Sequence, residues 1–187
     1  MSFSPVLIAL AVVMVLVLWF AFHAYNRLVR MRNNVRNAWS DVDVQLTFRH
    51  DLVPNLVESV KGYMSHEHQT LEAVTKARSA AMSAGADIST RAAAEMALGS
   101  AVGNLFLSAE RYPDLKASQN FLLLQEQLTT TENRIAFARQ HYNETVRQFN
   151  TLIAEFPWNL MAGQFGYAPE KMFAAGTQDR ATVQMAS

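Results

Sequence analysis

The sequence contains no cysteine. That excludes disulfides, thiolate metal sites, cysteine nucleophiles and lipid attachment through a cysteine. Net charge is absent too, because 16 Lys and Arg balance 16 Asp and Glu. Without a basic excess the chain has no electrostatic footprint for nucleic acid, and no such partner is expected. Glycine (7) and proline (5) are scarce for a chain of 187 residues. Few breakers in a sequence rich in Ala and Leu favour long helices.

What is present, first, is a long apolar run. Pro5 to Phe22 reads PVLIALAVVMVLVLWFAF, 18 residues without charge or glycine. As a helix it covers roughly 27 Å, close to the hydrocarbon thickness of a bilayer. A helix apolar on every face must be buried, and a chain of this length has no core large enough to wrap it. The run predicts a transmembrane helix over residues 5–24. A cleaved signal peptide fits poorly: no basic residue precedes Pro5, the run is too long, and it ends in bulky Trp19, Phe20 and Phe22.

Charge gives the orientation. Arg27, Arg30, Arg32 and Arg36 follow the run before any acid appears, whereas residues 1–4 carry no charged side chain. The positive-inside bias predicts a single-pass protein with its N-terminus outside and the rest cytoplasmic. These arginines are the membrane-flanking basic residues, placed to meet anionic headgroups of the lipid bilayer.

Beyond the span the apolar residues keep helical time. Val35, Trp39, Val42 and Leu46, then Val53, Leu56, Val60 and Tyr63, form a heptad seam in the manner of a coiled coil. Arg49 falls in the seam, so it should find a carboxylate or lie at the edge. Pro54 implies a kink near His50, or a restart with Asp51 as N-cap; the unbroken register favours the kink. Leu71, Val74, Arg78 and Ala81 mark a shorter second helix. A third begins near Ser89 or Thr90, seamed by Met96, Val102, Leu105, Phe106 and Ala109. The last is expected from Asp114 to about Glu155. Its seam from Phe121 to Phe156 passes through Leu124, Leu128, Thr131, Ile135, Ala138, Tyr142, Val146, Phe149 and Ile153, a mean spacing of 3.5. Pro157 ends it.

The expected fold is all-α: a transmembrane helix continuing into an elongated antiparallel bundle of about four helices, two long and two short. The expected organisation is a short outside tail (1–4), the span (5–24), the helical bundle (25–170) and a flexible C-terminal tail (171–187). If the last long helix returns toward the bilayer, Trp158, Phe165 and Tyr167 join Trp19 and Tyr25 as membrane-proximal aromatics.

Little in the sequence reads as chemistry. His66 and His68 flank Glu67, but residues two apart point to different helix faces, and Thr70 stands where a zinc-binding His-Glu-x-x-His pattern needs histidine. His50 and His141 add no metal spacing, so no metal and no cofactor are expected. Asp41 and Arg49 lie about two turns apart, as do Glu132 and Arg139, and such groups read as members of interhelical ion pairs that fix register rather than as a catalytic dyad. Ser40 and Thr130 have no adjacent base, and Gly163-x-x-Gly166 follows no strand. Thr131, Asn133, Asn143 and Asn150 lie at or beside the last seam. They either make buried hydrogen bonds within the chain or pair with another copy.

Several stretches resemble the LemA family of bacterial membrane-anchored proteins. They include Tyr25-Asn-Arg-Leu-Val29, Ala38-Trp-Ser-Asp-Val-Asp-Val-Gln-Leu46, Arg49-His-Asp-Leu-Val-Pro-Asn-Leu-Val57, Thr75-Lys-Ala-Arg78, Tyr112-Pro-Asp-Leu-Lys-Ala117 and Phe156-Pro157. The resemblance covers most of residues 25–170. It implies an N-terminal span before a helical domain, an inner-membrane location and no established enzymatic activity. One branch of the family contributes to magnetosome membranes, and members are often encoded near envelope proteases. The resulting expectation is a membrane-anchored helical scaffold that self-associates as a homo-oligomer or docks partners, organising or shaping membrane. The alternative is an adaptor or regulator of an envelope protease or another membrane protein; a membrane-proximal hydrolase ranks last.

Overall fold

The computed structural model describes residues 5–173. The expected outside tail and most of the expected C-terminal tail lie outside the described residues. Every regular element among the described residues is a helix, in the order α1 (Pro5–Lys61), α2 (His68–Ser83), α3 (Ile88–Ala109), α4 (Pro113–Lys116), α5 (Gln119–Ala154) and α6 (Trp158–Gln164). The four expected helices are α1, α2, α3 and α5. Two short ones were not expected. Pro113 starts a single turn, α4, which stops before Ser118, so the last long helix begins at Gln119 rather than Asp114. After Pro157, seven residues form α6.

The first helix is continuous for 57 residues, with Pro54 inside it. The restart with an Asp51 cap therefore does not occur. Proline at 54 has no N–H to give the carbonyl of residue 50. That carbonyl has another partner: Arg78 Nε, on α2, donates to His50 O at 2.8 Å.

The chain forms two compact units. One comprises α1 up to Ala38 with Glu144–Glu170. Its core is Ala24, Leu28, Val35 and Ala38 with Val146, Phe149, Leu152, Ile153 and Ala162. On α1 the side chains from Val6 to Trp19 stand exposed, and covering begins only at Phe20 and Ala21. The other unit comprises Trp39–Asn143 with the segment from Lys171. Its core joins Val53, Leu56, Val60 and Met64 of the α1 end to Leu98, Val102 and Leu105 of α3 and to Phe121, Leu124 and Leu128 of α5.

Most predicted seam positions are buried, with instructive exceptions. Tyr63 is exposed and Met64 is buried instead, because the helical period ends at Lys61. Phe156, two residues past the end of α5, is 78% exposed. On α3 the buried face is Ala92, Glu95, Leu98, Val102, Leu105 and Ala109; Met96 and Phe106 lie beside it, only partly covered. The predicted stripe was thus displaced toward a face that contains an acid.

Candidate functional site

In the first unit, α6 meets α1 just past the apolar run. Phe20 and Trp158 have ring centroids 5.8 Å apart, and Tyr25 and Phe165 lie 5.1 Å apart. The Arg27 guanidinium stands 4.9 Å from the Trp158 ring centre, and that of Arg32 5.4 Å from Tyr167. Both are cation–π contacts, favourable because the ring face is electronegative. A backbone device positions Tyr167. Gly166 has φ +67°, the left-handed conformation that ends a helix. Tyr167 N–H then reaches back to Ala162 O (2.9 Å) and Gly166 N–H to Gly163 O (3.4 Å), a Schellman closure of α6. The turned chain brings the Tyr167 ring against Phe149 and beneath Arg32.

The second unit contains a buried ionic cluster. Arg49 Nη2 donates to Glu95 Oε2 at 2.5 Å and to the Glu95 carbonyl at 3.0 Å, while Nη1 donates to Glu132 Oε1 at 2.8 Å. His50 Nε2 lies 3.0 Å from Glu95 Oε1, at ion-pair range but off hydrogen-bond alignment. Arg49 and Glu95 are 3% and 2% exposed, so water screens this pair weakly. Burial pushes the Glu95 carboxyl up, but His50 and Arg49 beside it prevail and hold it below the ordinary carboxylate value. A carboxyl held ionised is a poor general acid near neutrality; it serves as a fixed anion. Nearby, Arg91 bonds to Asp43 and its guanidinium covers the Trp39 ring at 5.4 Å. Trp39 in turn meets Tyr142 edge-on at 5.3 Å.

A cavity of about 400 Å³ opens beside the cluster, with Arg49, Glu95, Gly99, Glu132, Arg139 and Phe173 in its wall. Gly99 leaves room for the arginine, since a Cβ there would stand 3.4 Å from Arg49 Nη1. The charges in the wall compensate one another. Among the described residues there is no group of three or more His, Asp or Glu able to hold a metal ion.

Of the three asparagines in question, Asn143 and Asn150 make bonds within the chain. In the first unit, Asn150 Nδ2 donates to Glu170 O and Glu170 N–H donates to Asn150 Oδ1, both at 2.9 Å. In the second, Asn143 makes the same two-way clamp on Phe173 (2.9 and 2.8 Å), and Tyr142 Oη donates to Lys171 O. Each side-chain amide imitates a neighbouring strand, satisfying both the N–H and the C=O of a residue outside regular structure. Phe173, assigned by sequence to a flexible tail, is consequently buried. Lys171 Nζ also reaches Asp87 Oδ1, 2.6 Å away, at the start of α3. Thr131 bonds back to Gln127 O on its own helix, and Asn133 is exposed.

Of the residues singled out by sequence, the structure brings Arg27, Arg32, Tyr25, Trp158, Phe165 and Tyr167 together. Trp19 instead stacks on His23 at 4.3 Å, and Arg30 and Arg36 are exposed. Arg49 finds carboxylates on two other helices, Glu95 of α3 and Glu132 of α5. Sequence reasoning missed Glu95 and Arg91. A signal was available: they are the only charged side chains in α3.

Among the described residues, the fold and these contacts define an all-helical protein with an uncovered apolar N-terminal helix. The LemA family profile matches residues 38–186, and the chain belongs to that family. It is 28% identical over 158 residues to Protein LemA of Metamycoplasma hominis, covering 84% of this chain and 72% of that protein. It is 26% identical over 174 residues to Magnetosome protein MamQ 1 of Paramagnetospirillum magneticum, covering 80% of this chain and 64% of the relative. Magnetosome protein MamQ of Magnetospirillum gryphiswaldense is 22% identical over 174 residues, with the same shares. The chain thus spans less than two thirds of the length of these magnetosome proteins.

Proposed function

We propose that this protein is a membrane-anchored helical scaffold. The stretch Pro5–Phe22 crosses the inner membrane with the N-terminus outside. The helices beyond it stand at the cytoplasmic face as an antiparallel bundle, offering surfaces for self-association or for partners. One observation carries this reading. The side chains of α1 from Val6 to Trp19 are uncovered, yet the same helix runs without a break into charge-fixed packing. Of the two helices among the described residues long and apolar enough to span, only α1 has its apolar stretch wholly unburied. The contribution is positional: the anchor keeps the surfaces beyond it at the membrane. The likeness to magnetosome proteins supports a role at a membrane.

The test is the size of the full-length particle extracted in mild detergent and placed in nanodiscs, read by mass photometry. A discrete multiple of the 20.9 kDa chain is expected. Single copies without any companion protein would refute the scaffold. Fixed-ratio recovery with a protease would replace it with the adaptor. Recovery from the aqueous fraction without detergent would refute the anchor itself.

A further inference from the structure

We propose that α6, with Phe156 before it and Phe165 after it, is a second membrane contact, an interfacial foot lying at headgroup depth beside the span. The proposal rests on the reading of α1 as a span and adds a place and a partner to it. The partner is the glycerol–acyl boundary of the lipid bilayer.

The depth follows from length. An apolar run of 18 residues covers roughly 27 Å, barely the hydrocarbon core, so it has no surplus to tilt or slide. Its last turn, Phe20 to Phe22, must then lie at the boundary of the core. Trp158 packs on Phe20, and Phe165 packs on Tyr25. Both ends of α6 therefore meet α1 within the band Phe20–Arg27, about 10 Å of helix. That band runs from the core boundary at Phe20–Phe22 through the headgroup layer, roughly 5–8 Å deep on each side of the core. Whatever surrounds α6 at this level is lipid interface.

The side chains suit that surrounding. Phe156 is 78%, Leu160 64% and Phe165 51% exposed, three large apolar groups on a short segment next to the anchor. In bulk water such a grouping would be unfavourable. At the acyl boundary it is stabilising, and Trp and Tyr favour the same depth. Arg27 stacked on Trp158 keeps its charge at the layer where lipid phosphates lie. A second copy of the chain is the competing occupant, but it would have to displace headgroups around the span to reach this face.

The experiment uses the full-length chain in nanodiscs sized for one copy, with three variants that each keep one tryptophan. Trp19→Phe with Trp39→Phe leaves Trp158; the other two leave Trp19 or Trp39. Lipids brominated near the carbonyl, or at mid-chain, quench tryptophans by depth. Loss of Trp158 emission is expected with the shallow quencher and less with the deep one. Trp39 emission should stay unchanged. Adding Leu160→Asp to the Trp158 chain should weaken its quenching while the helical circular dichroism is retained. Trp158 as unquenched as Trp39, with Trp19 quenched, overturns the foot and leaves the span intact. Trp19 unquenched overturns both. Trp158 shielded only when several copies share a disc assigns the face to self-association and also overturns the foot.

Discussion

Arg78 donates from Nε to the carbonyl oxygen of His50 at 2.8 Å, and His50 is the residue whose helical acceptor Pro54 leaves without a donor. An interior proline costs a helix about 3 kcal/mol, in part through that orphaned carbonyl. Here a side chain from α2 supplies the missing donor and ties the two helices at one height. Arg78→Met should therefore destabilise the protein by about 1–3 kcal/mol, the cost of a buried acceptor without a partner. Pro54→Ala restores the N–H. In that background Arg78→Met should cost much less. Denaturant unfolding of the four proteins of this double-mutant cycle measures the coupling; additive effects would show that Arg78 does not serve the proline gap.

The Arg49–Glu95 pair predicts a second asymmetry. Arg49→Met leaves Glu95 buried beside an unbalanced charge, at an expected cost of about 3–5 kcal/mol. Replacing both, with Glu95→Leu added, should recover part of that loss. Glu95 also sets a pH dependence. Its folded pKa lies below the ordinary 4.5, so its contribution is fully present above that value. The contribution is lost as pH falls below 4.5 and through the folded pKa. Glu95→Gln should flatten the acid side of the stability–pH curve. An unchanged acid slope would show that the cluster does not stabilise the fold through its charge.

How much of this was legible beforehand depends on the residue. The long helices, the buried seam of α5 and the apolar run follow from periodicity, which is local in sequence. Arg49 could be flagged because a charge interrupts an apolar seam, but its partners, Glu95 and Glu132, are fixed by tertiary register. Pro54 announced a missing N–H; the donor that replaces it lies 28 positions away. The strap at Glu170–Phe173 was invisible because its backbone is held by side chains of another element, and no pattern within 171–187 encodes that. α6 was missed because seven residues are too few for a period to show.

Asp87 gives a titration test. It caps α3 by accepting from Thr90 N–H at 3.0 Å and receives Lys171. The Lys171 hydrogen bond, with those from Thr90, lowers its carboxyl from 3.8 to about 2. The lowered value means the cap and ion pair persist until pH falls through about 2. Lys171→Met should raise the Asp87 pKa toward 3.8, read by carboxyl NMR. No upward movement would separate the strap from α3.

The asparagine clamps should control how firmly the strap is held. Asn143→Ala removes both bonds to Phe173, and Asn150→Ala both bonds to Glu170. Each change should accelerate hydrogen exchange and proteolysis locally, at Lys171–Phe173 or Glu170 respectively. The core helices should keep their protection, because opening the strap is a sub-global event. Asn143→Asp retains the acceptor but not the donor and should give an intermediate effect. Uniform loss of protection throughout the chain would instead make the asparagines part of the cooperative core.

Gly166 links backbone conformation to the arginine–aromatic cluster. A Cβ there would find open space, so only the φ of +67° opposes substitution. Gly166→Ala should cost about 1–2 kcal/mol, the penalty for a left-handed L-residue. If α6 relaxes to relieve it, the Schellman closure opens and Tyr167 leaves Arg32. Gly166→Asn tolerates the left-handed region better and should cost less. Arg32→Met separates the two effects, since it removes the cation–π partner without straining the turn. The expected order of destabilisation is Gly166→Ala first, then Gly166→Asn, then Arg32→Met, whose loss is about 0.5–1 kcal/mol. Asparagine at 166 proving worse than alanine would mean that space, not backbone conformation, selects glycine at this turn.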